Sequence, residues 1–274
     1  MRLENKAIVI PGASTGIGRA TAVCCAREGA RLVLGDVKEA EGKQTVELVE
    51  QAGGSALFVN ADVSVDADVA RLMSEAEEWM GGVDVLIHVA GIFRALRAQV
   101  DEVEESVWDE VMDVNLKGPF LTAKHVVPIM RKAGKGVIII VGSGAGVIGG
   151  SASVPYGSSK GGAHGLSLVL ASHLEQFNIR VHGFAPGKIA TNISGQSPDE
   201  QKASHERDLE EATKQMLRDV EHDRESGDGG SFGERIAGLA DRWRPLGDPE
   251  GVGRVLAFLA SDEADYVRGT VFTK

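Results

Sequence analysis

Ala7-Ile8-Val9-Ile10-Pro11-Gly12-Ala13-Ser14-Thr15-Gly16-Ile17-Gly18 is the stretch that decides the fold. Its apolar start reads as a buried strand, and the glycines that follow read as a tight turn opening into a helix. Gly12 and Gly16 let the backbone turn sharply and approach a pyrophosphate. Gly18 lets the helix pack close to the sheet, and the helix N-terminus offers N–H groups and the positive end of its dipole. Gly12, Ser14, Thr15, Gly16, Ile17 and Gly18 are therefore the first candidate cofactor contacts.

Outward from this turn, the second apolar run, 31–35, ends at Asp36, 18 residues after Gly18. An acidic group at that distance reaches the adenosine ribose hydroxyls and repels a 2′-phosphate. Ser14, Thr15 and Val37 supply no compensating cation, so NAD is favoured over NADP. Asp62 and Val63, after the third run, fall where the adenine would lie. Ala90 and Gly91, after the fourth, would line the ribose side. Strands are expected at 7–10, 31–35, 56–60, 83–88, 136–141, 180–185 and 270–272. Helices are expected at 16–28, 39–52, 66–80, 106–133, 156–177 and 249–261. Most of the strands are continuous apolar runs, as strands buried on both faces are. Strand and helix in alternation mean an α/β protein with a parallel sheet and right-handed crossovers.

The 274 residues suit one large α/β domain. Glycine, at 35 residues, is high without a collagen period. The net charge of −11 argues against binding nucleic acid by phosphate neutralisation. Adjacent Cys24 and Cys25 cannot form a framework disulfide, have no zinc-ligand spacing and read as small buried residues of a helix. No metal site is expected. No run is long enough to span a membrane, and the N-terminus lacks an apolar signal core. A cytoplasmic protein is expected.

The Gly12–Gly18 pattern is joined by Asp62, Ala90-Gly91, Asn115, Ser143, Tyr156-Gly157-Ser158-Ser159-Lys160 and Pro186-Gly187-Lys188-Ile189-Ala190-Thr191. Together these resemble the short-chain dehydrogenase/reductase family across nearly the whole chain. The resemblance implies one Rossmann-like domain over residues 1–274, a doubly wound parallel sheet of seven strands in the order 3-2-1-4-5-6-7, and NAD-dependent chemistry on a secondary alcohol or ketone. Tyr156 and Lys160 stand at i and i+4, so they share a helix face. Tyr156 is the candidate acid/base, and a nearby positive charge from Lys160 would lower its pKa toward neutrality. Ser143, 13 residues earlier, can hydrogen-bond the same substrate oxygen. The resemblance implies that Lys160 also holds the nicotinamide ribose and that Asn115 holds a water relay to Lys160. It also extends the cofactor site to Pro186, Gly187, Ile189 and Thr191, with Thr191 on the carboxamide or, alternatively, capping a helix. Taken singly, these residues have bland roles: a turn serine, a helix-start tyrosine, a surface lysine, a helix-interior asparagine.

The chain also departs from the family pattern. Pro11 stands where a threonine is usual and removes an N–H. His88-Val89 replaces the usual Asn-Asn, and His88 reads as a satisfied strand-end histidine rather than a base. The chain stops at Lys274, where family members run on through a glycine-containing tail. The substrate pocket is expected from Ile92, Phe93, residues 144–155 and the region after Pro186, with Phe93, Val147, Ile148, Val154 and Pro155 as apolar walls. Arg94, Arg97 and Lys188 are the cations that could meet an acidic group.

Residues 198–228 carry 11 acidic and 5 basic side chains, with Leu209, Ala212, Met216 and Val220 at helical spacing. This reads as an acidic helical insertion at about 195–230, hinged at Gly195 and at residues 227–230. It is either a lid or a solvated surface helix. A homo-oligomer, a tetramer or dimer, is expected through Ala123, Val126, Val127 and Met130 on one helix and Leu166, Val169 and Leu170 on the next. Two other functions remain open: double-bond reduction or isomerisation on the same scaffold, and a non-catalytic NAD-binding or regulatory protein.

Overall fold

The computed structural model describes residues 1–191, 193, 197–226 and 246–272. The strands are β1 (Ala7–Pro11), β2 (Arg31–Asp36), β3 (Ser55–Asn60), β4 (Val85–His88), β5 (Gly136–Val141), β6 (Ile179–Ala185) and β7 (Gly269–Phe272). They form one seven-stranded sheet in the order β3-β2-β1-β4-β5-β6-β7. Every pairing is parallel, as the alternation of runs requires. The helices are α1 (Gly16–Arg27), α2 (Glu39–Gln51), α3 (Asp66–Met80), α4 (Glu105–Met112), α5 (Gly118–Ala133), α6 (Val154–Leu174), α7 (Pro198–Ser226) and α8 (Pro249–Ala260).

Successive strand side chains leave opposite faces of the sheet. Ile8, Ile10, Leu32, Leu34, Val85 and Ile87 therefore pack on one side, with Cys24 and Cys25 of α1 and Leu256 of α8. Val9, Val33, Leu86, Ile138 and Ile140 pack on the other, with Leu72 and Met73 of α3 and Val126 and Met130 of α5. Two covered faces explain why the strands read as unbroken apolar runs. Each such side chain, fully buried, contributes about 1.5–3 kcal/mol. The two cysteines are free and buried in the first of these layers. No helix among the described residues is long and apolar enough to cross a membrane.

The helix expected over 106–133 is interrupted. Between α4 and α5, residues Asp113–Lys117 form a π turn in which the Gly118 N–H donates to the Asp113 carbonyl. The cause is legible in the chain: Pro119 follows Asn115 by four and has no N–H to close the α-helical bond onto its carbonyl.

Part of the expected interface face turns inward. Ala123, Val126 and Met130 are buried within the protomer, whereas Phe120, Leu168 and Val169 are about half exposed. Helical spacing identifies an apolar face but not which neighbour covers it: the chain's own sheet covers those three, while Val127, Leu166 and Leu170 are partly buried and Val169 stays exposed.

The acidic segment does form a helix, α7. Leu209 and Ala212 of the expected stripe are half-buried. The side chains of Met216 and Val220 and the expected hinges at Gly195 and 227–230 lie outside what is described.

Candidate active site

The strand order reverses between β1 and β4, and beside that reversal, past the carboxyl ends of the strands, lies a cleft of about 650 Å³. Open parallel sheets bind ligands at this switch point. Its floor is the β1–α1 turn. Gly12 has φ +87°, and a Cβ on it would stand 2.3 Å from the Ala90 backbone N. A Cβ on Gly18 would stand 2.0 Å from the Gly12 carbonyl O. Only glycine allows these contacts. Thr15, the N-cap of α1, makes no side-chain cap hydrogen bond. The first turn of α1 is thus not capped by its own threonine, which suits an anionic ligand.

Pro11 lacks an N–H, but its carbonyl accepts from both Val89 N and Ala90 N, each at 2.9 Å. That pair ties β1 to the chain leaving β4 without the side-chain amides that Val89 cannot supply. Val89 packs instead against the apolar layer below it.

At one end of the cleft the Asp36 carboxylate accepts from Ser14 N at 3.0 Å and from Lys38 N at 3.1 Å. Two backbone donors fix it where the sequence spacing put it. Ser14 itself is fully buried beneath the turn, with its hydroxyl donating to the Lys38 carbonyl. It supports the turn and does not line the cleft. Lys38 does line it, beside Asp36. The sequence reading missed this cation; its position two residues past the acidic strand end was the available signal. Arg19 does not line the cleft and bonds instead to Thr45 and the Glu41 carbonyl. Thr15, Gly16, Ile17, Asp62, Val63, Ala90 and Gly91 line the middle of the cleft, and Pro186, Gly187, Ile189 and Thr191 close it from the β6 side. Lys188 is exposed and is not part of the lining.

At the other end stand Ser143, Tyr156 and Lys160. Ser153 caps α6, accepting from Tyr156 N at 3.2 Å while its hydroxyl donates to the Arg94 carbonyl at 2.7 Å. A serine cap followed by Pro155 near the helix start is a strong start signal. It places Tyr156 in the first turn of α6 and Lys160 one turn deeper. The Tyr156 ring lies 4.6 Å from the Phe93 ring, tilted by 49°. Burial pushes the phenol pKa up, with the Ser143 hydroxyl opposing it. Lys160 is buried, donates to the Val141 carbonyl at 2.9 Å, and stands 5.9 Å from the Tyr156 ring centre. Its desolvation lowers its pKa to about 8.

Asn115 does not line the cleft. It sits buried in the π turn. Its Oδ1 accepts from Ile92 N at 2.8 Å, and its Nδ2 donates to Ile92 O at 2.9 Å and to Ser159 Oγ at 3.0 Å. Ser159 in turn donates to the Tyr156 carbonyl at 2.8 Å. The Asn115 side chain thus fastens the loop after β4 to α6, one step behind the reacting residues.

The apolar wall is made by Ile92, Phe93, Val114 and Ile193. Val147, Ile148 and Val154, expected there, are 38%, 85% and 39% exposed and do not line the cleft. Positive φ at Gly149 and Gly150 marks a sharp turn in that segment. Arg94 is paired with Glu110 at 3.1 Å. His88 is only half satisfied: its Nδ1 meets Thr122 Oγ1 at 3.0 Å, while its buried Nε2 has no partner among the described residues.

Comparison with known proteins agrees with this architecture. The short chain dehydrogenase family model matches residues 6–202. A 3-oxoacyl-[acyl-carrier-protein] reductase FabG of Thermotoga maritima is 33% identical over 271 residues, covering 99% of this chain and 96% of that protein. An uncharacterized oxidoreductase of the same organism is 39% identical over 187 residues, 68% of this chain and 73% of its own. The crystal structure of levodione reductase superposes with a TM-score of 0.79 at 27% identity, covering 99% of this chain and 96% of that one. The family's nicotinamide nucleotide matches a cleft with a glycine floor, an uncapped helix start and a fixed carboxylate. The chain belongs to the short-chain dehydrogenase family of oxidoreductases.

Proposed function

We propose that the protein is an NAD-preferring dehydrogenase/reductase that acts on a secondary alcohol or ketone. The observation that carries this reading is the grouping of Ser143, Tyr156 and Lys160 at one end of the cleft, with Asp36 held by two backbone N–H groups at the other. The relatives named as reductases of 3-oxoacyl-[acyl-carrier-protein] and of levodione support carbonyl chemistry over double-bond reduction or a purely regulatory role.

The residues divide the work as follows. In the oxidising direction, the Tyr156 phenolic oxygen takes the substrate hydroxyl proton, and in the reducing direction it returns one. Ser143 Oγ hydrogen-bonds the same substrate oxygen and fixes its distance from Tyr156. Lys160 would hold the ribose hydroxyls of the cofactor and keep positive charge behind the phenol. When bound, oxidised nicotinamide nucleotide supplies the hydride acceptor and a further positive charge. Burial pushes the free protein's phenol up, and the positive charge of a bound oxidised cofactor would oppose that shift. Asn115 holds the Ile92 loop and α6 in register. The apolar wall, and an Arg94 already paired with Glu110, suit an uncharged substrate.

One cytoplasmic domain, associating as a homo-oligomer through the exposed Phe120, Leu168 and Val169, completes the proposal. The test is nucleotide reduction over a panel of secondary alcohols and diols, with the affinities for NAD and NADP measured alongside. NAD should bind at least about tenfold tighter, roughly 1.4 kcal/mol, and Asp36→Ala should narrow the gap. Equal affinities would mean that Lys38 cancels Asp36 and that the cofactor assignment is wrong.

A further inference from the structure

We infer that Gln201 is a positioning residue for the cofactor, and that it makes the order of the acidic helix α7 and cofactor binding depend on each other. This rests on reading the cleft as the nicotinamide nucleotide site.

Ser197-Pro198-Asp199-Glu200 starts α7 with a capping box. Ser197 N donates to Glu200 Oε2 at 2.7 Å, and Glu200 N donates to Ser197 Oγ at 3.2 Å. Gln201 follows directly, its own N–H bonded to the Ser197 carbonyl at 2.9 Å, so the box fixes the root of its side chain. That side chain carries an acceptor and a donor side by side. Oε1 accepts from Thr191 N at 3.2 Å, and Nε2 donates to the Thr191 carbonyl O. Both backbone groups of one cleft residue are thus taken by one carboxamide, much as a neighbouring strand would take them.

Thr191 abuts the glycine turn where both line the cleft. Its Cγ2 and Cβ stand 3.2 and 3.3 Å from where a Cβ on Gly16 would be. The segment leading to it is held from its other side, Ala190 N donating to Gly247 O at 3.0 Å and Gly247 N to Lys188 O at 2.8 Å. The cleft wall formed by Ile189 and Thr191 is therefore strapped at one end by Gly247 and at the other by Gln201. A wall ordered before the ligand arrives saves the ordering cost on binding. Linkage is reciprocal, so whatever order Gln201 lends to cofactor binding, the cofactor returns to the start of α7.

Gln201→Met keeps length and removes both hydrogen bonds; Gln201→Asn keeps the carboxamide but falls one methylene short. Calorimetric titration with NAD and NADP should show the preferred nucleotide binding five- to twentyfold more weakly to both variants. With an alcohol that the unmutated enzyme oxidises, the loss should fall more on the cofactor KM than on kcat. Amide exchange supplies a readout that general destabilisation would not give. In the unmutated protein, saturating cofactor should slow exchange over residues 199–205, and in both variants that gain should vanish. Affinity within twofold of the unmutated protein, or an undiminished cofactor-dependent gain in protection, would overturn the inference. Failure of the unmutated protein to bind either nucleotide would overturn the cofactor reading and this inference together.

Discussion

In the proposed reaction Tyr156 must hold a phenolate in a place where burial opposes one, and the neighbouring cation, Lys160, is itself buried with a lowered pKa of about 8. Tyr156→Phe keeps the ring and its contact with Phe93 while deleting the proton carrier. Turnover should fall by at least about a hundredfold, some 2.7 kcal/mol of barrier, with NAD affinity within twofold by calorimetry. Retention of a tenth of the turnover would remove Tyr156 from the acid/base role. Lys160 makes the opposite trade between stability and function. Its folded pKa lies below the unfolded value of about 10.4, so in the free protein its buried charge opposes folding below about pH 8. That penalty is relieved as pH rises from the folded value toward the unfolded one. Lys160→Met should therefore raise the urea midpoint of the cofactor-free protein at pH 7, while weakening NAD binding and abolishing turnover. A lower midpoint would show that the bond to the Val141 carbonyl outweighs the desolvation of the charge.

Among the elements, the start of α6 bears most directly on the chemistry, because a single serine cap orients both the helix and, through the Arg94 carbonyl, the loop after β4. Ser153→Ala should cost about 1 kcal/mol of stability in urea denaturation. It should lower turnover more than NAD affinity, since Tyr156 lies in the capped turn and most of the cofactor contacts do not. Equal losses in both would make the cap merely structural. The strand pattern, the glycine turn and the Tyr156–Lys160 helix were legible because each follows from short-range rules of alternation, steric room and i,i+4 spacing. The π turn at Asn115 was legible in principle from Pro119, but the apolar periodicity of the flanking helices hid it. The grip of Gln201 on Thr191 was not legible: it depends on how a helix ten residues away is aimed. Nor does helical spacing reveal that Ala123, Val126 and Met130 face the chain's own sheet.

Over the whole molecule, two buried histidines should steepen the response to acid. His88 lies beneath the carboxyl end of β4, its Nδ1 against Thr122 Oγ1 and its Nε2 unpartnered among the described residues. The Thr122 hydroxyl lies between His88 Nδ1, at 3.0 Å, and the Pro119 carbonyl, at 3.1 Å. Burial, with Lys160 adding repulsion, lowers the His88 pKa to about 3. His182 on β6, also buried, is lowered to about 4 by desolvation and by Arg180. Both folded values lie below the unfolded value of about 6.5, so at acidic pH the unfolded chain binds more protons than the folded one. Stability contributed by these neutral rings is fully present above pH 6.5 and is lost as pH falls toward the folded values. Each ring should steepen the loss by up to about 1.4 kcal/mol per pH unit within that window. The urea midpoint should hold between pH 7 and 8 and drop steadily from about 6.5 to 5. His88→Leu fills the same volume, leaves Thr122 its bond to Pro119 and removes one of the two sites of proton uptake. Its stability against pH should be shallower by about one proton's worth of slope, whatever its absolute stability at pH 7. An unchanged slope would mean that folded His88 protonates as readily as in the unfolded chain, and that the acid response resides in the surface carboxylates instead.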